Sequence, residues 1–366
     1  MTLGRRELFS TALFSAAAIQ ARAQAQQQKP GLPGAYRARV VAVSHPASVS
    51  AGRINRDAVR DMLRRGMVEL TGAPAWQDAW RVFFTKGDVV GLKLNPVGRP
   101  ALISSPETVQ EIIACLNACG IPNQDIIAYD RYKREFTAAG FDKWLPAGVR
   151  WTGATDQFDE LQLDMAGYDA TQYVELPLVL PKADPANPHH RRSYLSKFIT
   201  TDVNKLVNLC LLKHHQSAGI TMALKNLSHG LVNNVSRSHS SASNNSCGAF
   251  IPAIVDHPII RRKVVINIAD AVMAAYPGGP GGKVQKYLWE HKTMYFSTDP
   301  VAMDRTGWTA LDEKRVAMGM KPLALAYQDA DSQFVRMQPE HIDIAGTLGL
   351  GESDPKKIKV ANIKLA

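Results

Sequence analysis

Cysteine is scarce. The 366 residues contain four, Cys115, Cys119, Cys210 and Cys247, too few and too dispersed for a disulfide framework. No C-x-x-C-x-x-C run is present, so no iron–sulfur cluster held by this chain alone is expected. Cys115 and Cys119 stand four apart on an expected helix, where their side chains are neighbours at a spacing close to the upper limit for a disulfide; core packing and a bond both remain open. Long hydrophobic runs are lacking too. The apolar stretch from Leu8 to Ile19 falls short of the roughly 20 apolar residues a bilayer crossing needs, so no stable membrane span is expected. The phosphate-loop pattern G-x-x-x-x-G-K-[ST], an early G-x-G-x-x-G, the nucleophile elbow G-x-S-x-G and the zinc helix H-E-x-x-H are all missing. Basic residues form no stripe and no reading motif accompanies them, which excludes nucleic acid as the expected partner.

The chain is nevertheless 45% hydrophobic, enough to fill a substantial core, and carries a formal charge of +10. A basic surface favours anionic small molecules or polymers. The first residues, with Arg5 and Arg6 before the apolar stretch and small residues after it, read as a twin-arginine export signal over 1–25. The translocase would then be a transient partner, and the mature chain would be periplasmic or extracellular. A polar linker over 26–37 follows, and one α/β domain is expected over 38–366.

Short Val- and Ile-rich runs, "ARVVAVS", "DVVGLKL", "DIIAYD", "LVNLCLL", "KVVINIAD" and "TMYFSTD", alternate with helix-like periods. Continuous apolar runs are expected of strands buried on both faces, so the fold class is α/β, a mostly parallel central sheet with helices on both faces. Before "PETVQEIIACLNACG", Ser105 can cap a helix that Pro106 begins and Gly120 ends. The loop "PKADPANPHHRRS", with His189 and His190, reads as surface. "NNVSRSHSSASNNSCG" could cover a site, and "YPGGPGGKVQ" reads as a flexible turn.

In such sheets ligands bind outside the carboxyl ends of the strands. Reading the residue at each strand end gives His45, Lys93 and Asn95, Asp130, the group Lys213, His214 and His215, then Asp270 and Asp299. Asp and Asn also end strands as turn formers and helix caps, and Asp299 before Pro300 suits an N-cap. Three of the ten histidines fall within "LLKHHQSAGITMALKNLSHG". His214 and His215 adjoin each other, so only one should face a site. Lys225 lies in an apolar segment where an unpaired ammonium is costly and its pKa falls. Asp304 lies on the apolar stripe of its helix and requires a partner. The candidate roles are catalysis for His215, Lys225 and Asp304; substrate binding for Lys93, Asn95, Asp130, Lys213, Asn226 and Arg237; and ligation of a divalent metal by His214, His229, His239 and Asp270.

"GLKLNP", "LLKHHQSAGITMALKNLSHG", "INIADAV" and "STDPVAMD", in this order, resemble the bacterial and archaeal domain of unknown function 362 family, with its Lys-x-Asn-Pro, Lys-x-His, Thr-x-x-x-Lys-Asn and Asp-Pro-x-x-x-Asp elements. The resemblance implies an α/β fold and the grouping of these residues, and no established chemistry. A looser similarity is to nickel-pincer lactate racemases, which implies that His215 and Lys225 could serve a metal cofactor. The expectation is an exported enzyme acting on an anionic small molecule or sugar acid by isomerisation, elimination or hydrolysis. The alternative is a non-catalytic periplasmic metal- or anion-binding protein.

Overall fold

The computed structural model describes residues 31–239, 245–279, 287–330 and 339–366. The export signal and most of "YPGGPGGKVQ" lie outside the described residues. Ten strands form one sheet: β1 (Arg39–Ser44), β2 (Val90–Lys93), β3 (Ile126–Tyr129), β4 (Arg150–Thr152), β5 (Lys205–Cys210), β6 (Lys213–His215), β7 (Gly219–Thr221), β8 (Val264–Ala275), β9 (Leu288–Ser297) and β10 (Lys359–Lys364). Their order is β10-β1-β9-β8-β5-β2-β3-β4, with the β6–β7 hairpin attached to β8 through Lys213 and Ala275. The run from β8 to β4 is wholly parallel. All six expected strands are present.

Why the runs must be continuously apolar is plain from where alternate residues go. On β1, Val41 and Val43 enter one core layer while Val40 and Ala42 enter the other; Ile126 and Ala128 oppose Ile127 and Tyr129 on β3, and Val207 and Leu209 oppose Leu206 and Cys210 on β5. Successive side chains of a strand point to opposite faces, so a sheet covered on both sides needs apolar residues at every position. One layer is roofed by α1 (Arg56–Thr71) and α2 (Pro106–Ala118), through Val59, Met62, Val109 and Ile112. The other is roofed by α3 (Ala223–Leu231), α4 (Cys247–Val255), α5 (Pro300–Ala317) and α6 (Glu340–Thr347). Among the described residues no helix is long and apolar enough to cross a membrane.

Local signals begin these helices, for α2 as expected. Ser105 Oγ accepts from Thr108 N ahead of Pro106, and Asn55 caps α1 through Asp57 N and Ala58 N. Gly66 brings α1 against the sheet: a Cβ there would lie 2.2 Å from the Phe296 ring. Cys115 and Cys119 are free, buried thiols; burial pushes Cys115 up to about 12. The "PKADPANPHHRRS" segment is largely exposed, as expected of a surface loop, with a short helix at Pro188–Arg191.

Three expectations are corrected. The strand of "TMYFSTD", β9, runs antiparallel to both neighbours, so Asp299 lies at the opposite sheet edge from Asp130. There it caps α5 through Ala302 N and also accepts from Ala38 N and Glu352 N. Asp270 ends no strand, because the apolar run continues and β8 extends to Ala275. Residues 31–37 are docked and not a free linker: Leu32 is buried and donates its N–H to Arg261 O at 2.7 Å, and Tyr36 N donates to Thr298 Oγ1 at 3.1 Å.

Candidate functional site

Parallel strands deliver their carboxyl ends to one edge. β2 ends at Lys93, followed by Asn95; β3 is followed by Asp130; and β5 leads into the β6–β7 hairpin, which carries Lys213 and His215. The chain then turns at Met222 into α3, whose first two turns present Lys225, Asn226 and His229. These residues line a cavity of about 640 Å³. Its rim is partly apolar, from Phe158, Leu161 and Pro181.

Asn226 is the hub. Its amide nitrogen donates to Asn208 Oδ1 at 2.8 Å and Leu209 O at 3.3 Å, while its oxygen accepts from Asn95 Nδ2 at 3.1 Å and Lys93 Nζ at 3.4 Å. Lys93 Nζ also meets Asp130 Oδ1 at 2.6 Å, with the two side chains 2% and 8% exposed. A network satisfied this fully in a low-dielectric interior fixes its members rigidly. Gly230 makes room for it, since a Cβ there would stand 1.9 Å from Lys93 Cε. Lys213 donates to Asn95 Oδ1 at 3.1 Å and to the Val97 carbonyl. Burial lowers its ammonium to about 7, and the neighbouring charges of Lys225 and Lys93 add to the effect.

Lys225 differs from both other lysines. Among the described residues its ammonium has no hydrogen-bond or ion-pair partner. Burial lowers it to about 8; Cys247 opposes the shift and Arg131 adds to it. His215 is held by its own turn. Its Nδ1 accepts the N–H groups of Ser217 at 3.1 Å and Ala218 at 3.3 Å, which puts the proton of the neutral ring on Nε2. Burial pushes its pKa well below the usual range, with Lys225 and His239 next in effect. The neutral His215 ring therefore has an N–H donor at Nε2 and no free ring lone pair with which to accept a proton.

His239 and His229 complete the wall. Their ring centroids are 5.1 Å apart, and His239 is 5.4 Å from His215. Cys247, the first residue of α4, lies behind them: His229, His239 and Cys247 each offer a ligand atom, all within 4.8 Å of one another.

Other expected site residues are elsewhere, for identifiable reasons. Asp304 is fully buried and accepts Ala223 N at 2.7 Å and Leu224 N at 3.0 Å, so it caps α3 from α5 and touches no ligand space. Burial pushes its carboxyl up to about 8 against those two N–H groups. Arg237 is fully buried, its guanidinium taken by the carbonyls of Leu176, Leu178 and Asn234 and by Ser193 Oγ; it ties down a surface segment and does not line the cavity. Asp270 accepts Ser105 N at 3.1 Å and Ser105 Oγ at 2.6 Å, anchoring the start of α2, and does not line the cavity. His214 points away from His215, is not part of the cavity lining, and among the described residues belongs to no candidate metal group. His45 does not line the cavity either. Sequence reasoning missed Cys247, Asn208 and Glu135, the last a further carboxylate lining the cavity. Nothing local marks Cys247 or Glu135, whereas a polar residue inside the apolar strand "KLVNLC" is a usable signal for Asn208.

The cap has a measurable consequence. Asp304→Ala leaves two N–H groups buried without acceptors, so unfolding free energy should fall by about 2–4 kcal/mol. Urea denaturation with an unchanged slope is the check; a loss below about 1 kcal/mol would mean that water reaches the start of α3.

No curated protein matches the sequence. Among solved structures, a Thermotoga maritima protein determined by crystallography is similar at a TM-score of 0.40 and 10% identity, covering 64% of this chain and 54% of that one. This chain thus spans about half the length of that protein. The family described as "Domain of unknown function (DUF362)" matches residues 90–309, from β2 through Lys93, the Lys225–Asn226 pair and Asp304 into α5, and the chain belongs to that family.

Proposed function

We propose that the cavity binds a small organic anion of the hydroxy-acid or sugar-acid class and moves a proton on it, with Lys225 as the base. The observation that carries this reading is the Lys225 ammonium, enclosed at a cavity wall with no acceptor among the described residues. A buried lysine with no carboxylate beside it is poised to lose its proton near neutral pH, as a general base requires. Lys213, also without a carboxylate partner among the described residues, supplies charge for the anion, and the His215 Nε2–H supplies a donor where negative charge develops. Abstraction of a C–H proton by Lys225 leaves the electron pair on the substrate. Return of the proton gives an isomer, and departure of a neighbouring group gives an elimination product. Hydrolysis has less support, because the tautomer of His215 leaves it unable to activate water through Nε2.

The test is a panel of hydroxy and sugar acids screened by thermal shift, followed by proton NMR of the binders in D2O. At least one binder should lose the signal of the exchanged C–H. Acids that raise Tm but keep every C–H proton, with no product formed, would favour the non-catalytic anion-binding alternative.

The proposal extends to location. Export through the twin-arginine route delivers the mature chain to the periplasm or beyond. Replacing Arg5 and Arg6 with lysine should retain the precursor in the cytoplasm, read by fractionation, and unchanged export would remove this part of the proposal.

A further inference from the structure

We propose that His229, His239 and Cys247 form a three-ligand site for a divalent ion of the zinc class, with its fourth position open to the cavity beside Lys225. Two imidazoles and a thiolate are a donor set that suits Zn2+ or Co2+ and disfavours Mg2+ and Ca2+, which take oxygen. Three protein ligands with one open position are the pattern of ions that meet a substrate, whereas structural ions are closed by four.

The geometry is near that of a bound site. The three ligand atoms lie within 4.8 Å of one another, and a tetrahedral ion with these donors draws them to roughly 3.3–3.7 Å. Side-chain rotation covers such a difference. The ligands sit on three elements already packed together: His229 near the end of α3, His239 after the Ser236–Ser238 turn, and Cys247 at the start of α4. His229 and His239 line the cavity while Cys247 is buried behind them, so the open side faces the ligand space.

Hydroxyls are placed to set the ring tautomers. Ser228 Oγ stands 3.0 Å from His229 Nδ1 and 3.3 Å from the Lys225 carbonyl. With the hydroxyl proton on that carbonyl, Nδ1–H donates to Oγ and Nε2 offers its lone pair. Anchoring of one ring nitrogen by an outer partner is how metal-bound imidazoles are oriented. Ser238 Oγ donates to Val235 O at 2.7 Å and so accepts from His239 Nδ1 at 2.8 Å, which leaves His239 Nε2 its lone pair; the 3.1 Å contact of the same Oγ with His229 Nε2 is one that a bound ion would replace. A bound anion would place a carboxylate oxygen in the open position; that clause alone rests on the function proposed above.

The experiment uses the mature chain, stripped with a chelator under reducing conditions and titrated with Co2+ alone. The expected result is visible absorption of tetrahedral Co2+ together with a thiolate-to-cobalt charge-transfer band, both displaced by Zn2+. Cys247→Ser should lose the charge-transfer band, whereas Cys115→Ser, on the far side of the sheet, should keep it. Ser228→Ala should weaken Co2+ binding about 10-fold and His229→Ala by more than roughly 100-fold. If Cys247→Ser does not fold, His239→Ala at the cavity wall serves instead and should lose the tetrahedral spectrum. A wild type without a charge-transfer band, or a folded Cys247→Ser that keeps it, overturns the proposal. Because the titration contains no organic acid, its failure is distinct from failure of the Lys225 reading.

Discussion

Lys225→Met should lose proton exchange on the bound acid by about 10²–10⁴-fold, equivalent to roughly 3–5 kcal/mol of transition-state stabilisation, while still binding the acid. Methionine keeps an unbranched apolar stem in the same space and removes only the ammonium. Since that ammonium has no acceptor among the described residues, its removal breaks no hydrogen bond there. The variant should therefore be more stable than the wild type at neutral pH, because an uncompensated buried charge has been deleted. The sign follows from linkage. The folded chain holds the Lys225 proton less tightly than the unfolded chain, about 8 against 10.5, so the wild type gains stability as pH rises across that window. The stability gap to the variant should be up to about 3 kcal/mol below pH 8 and close towards pH 10.5. Activity has its own signature: kcat/KM of the wild type should climb about tenfold per pH unit below 8 and level above it. Loss of both activity and stability in Lys225→Met would instead make Lys225 a structural residue.

That combination, less activity with more stability, is what separates a functional buried charge from a structural one in this molecule. Asp304 and Arg237 are as deeply buried as Lys225, but each is surrounded by the groups it satisfies. The sequence shows that a charge lies on an apolar stripe; it does not show what stands opposite. Asp304 meets α3 at Ala223 and Leu224, some eighty positions upstream, and Arg237 meets carbonyls of Leu176 and Leu178 that carry no side-chain signature. Apart from Ser193 Oγ, these partners are backbone, and backbone leaves no mark in a sequence.

The strands were legible for the opposite reason. Burial on both faces demands apolar residues at every position, and the runs around Val41, Leu92, Ile127 and Val207 announce themselves locally. Direction is not local. The buried half of β9, Thr293–Ser297, reads like the parallel strands in the sequence, yet β9 runs antiparallel to both neighbours, which puts Asp299 at the edge opposite Asp130. Lys93, Asn95, Asp130, Lys213 and Asn226 could be grouped because their strands or the hairpin beside them do run in parallel order. Cys247 could not. It arrives on α4 after a long polar segment and joins His229 only because α3 and α4 pack against each other.

The Lys93–Asp130 pair tests whether the floor of the cavity is kept for stability or for binding. Asp130→Ala leaves the Lys93 ammonium buried with, among the described residues, only the Leu94 carbonyl and Asn226 Oδ1 as acceptors, and should cost about 3–5 kcal/mol in urea denaturation. Removing both charges is a different perturbation. In the double variant Lys93→Met with Asp130→Leu no charge is stranded, and replacing a buried ion pair by packed apolar groups is often neutral or better. The double variant should thus recover more than half of the single variant's loss. It should not recover ligand binding, because Asn226 then loses the Lys93 donor that helps orient its amide towards Asn95, and Asn95 in turn holds the Lys213 ammonium. Stability restored without binding would show that the pair is retained to position the anion site. A double variant as unstable as the single one would mean that the pair holds β2 to β3, and a single variant losing less than about 1 kcal/mol would mean that water already reaches Lys93.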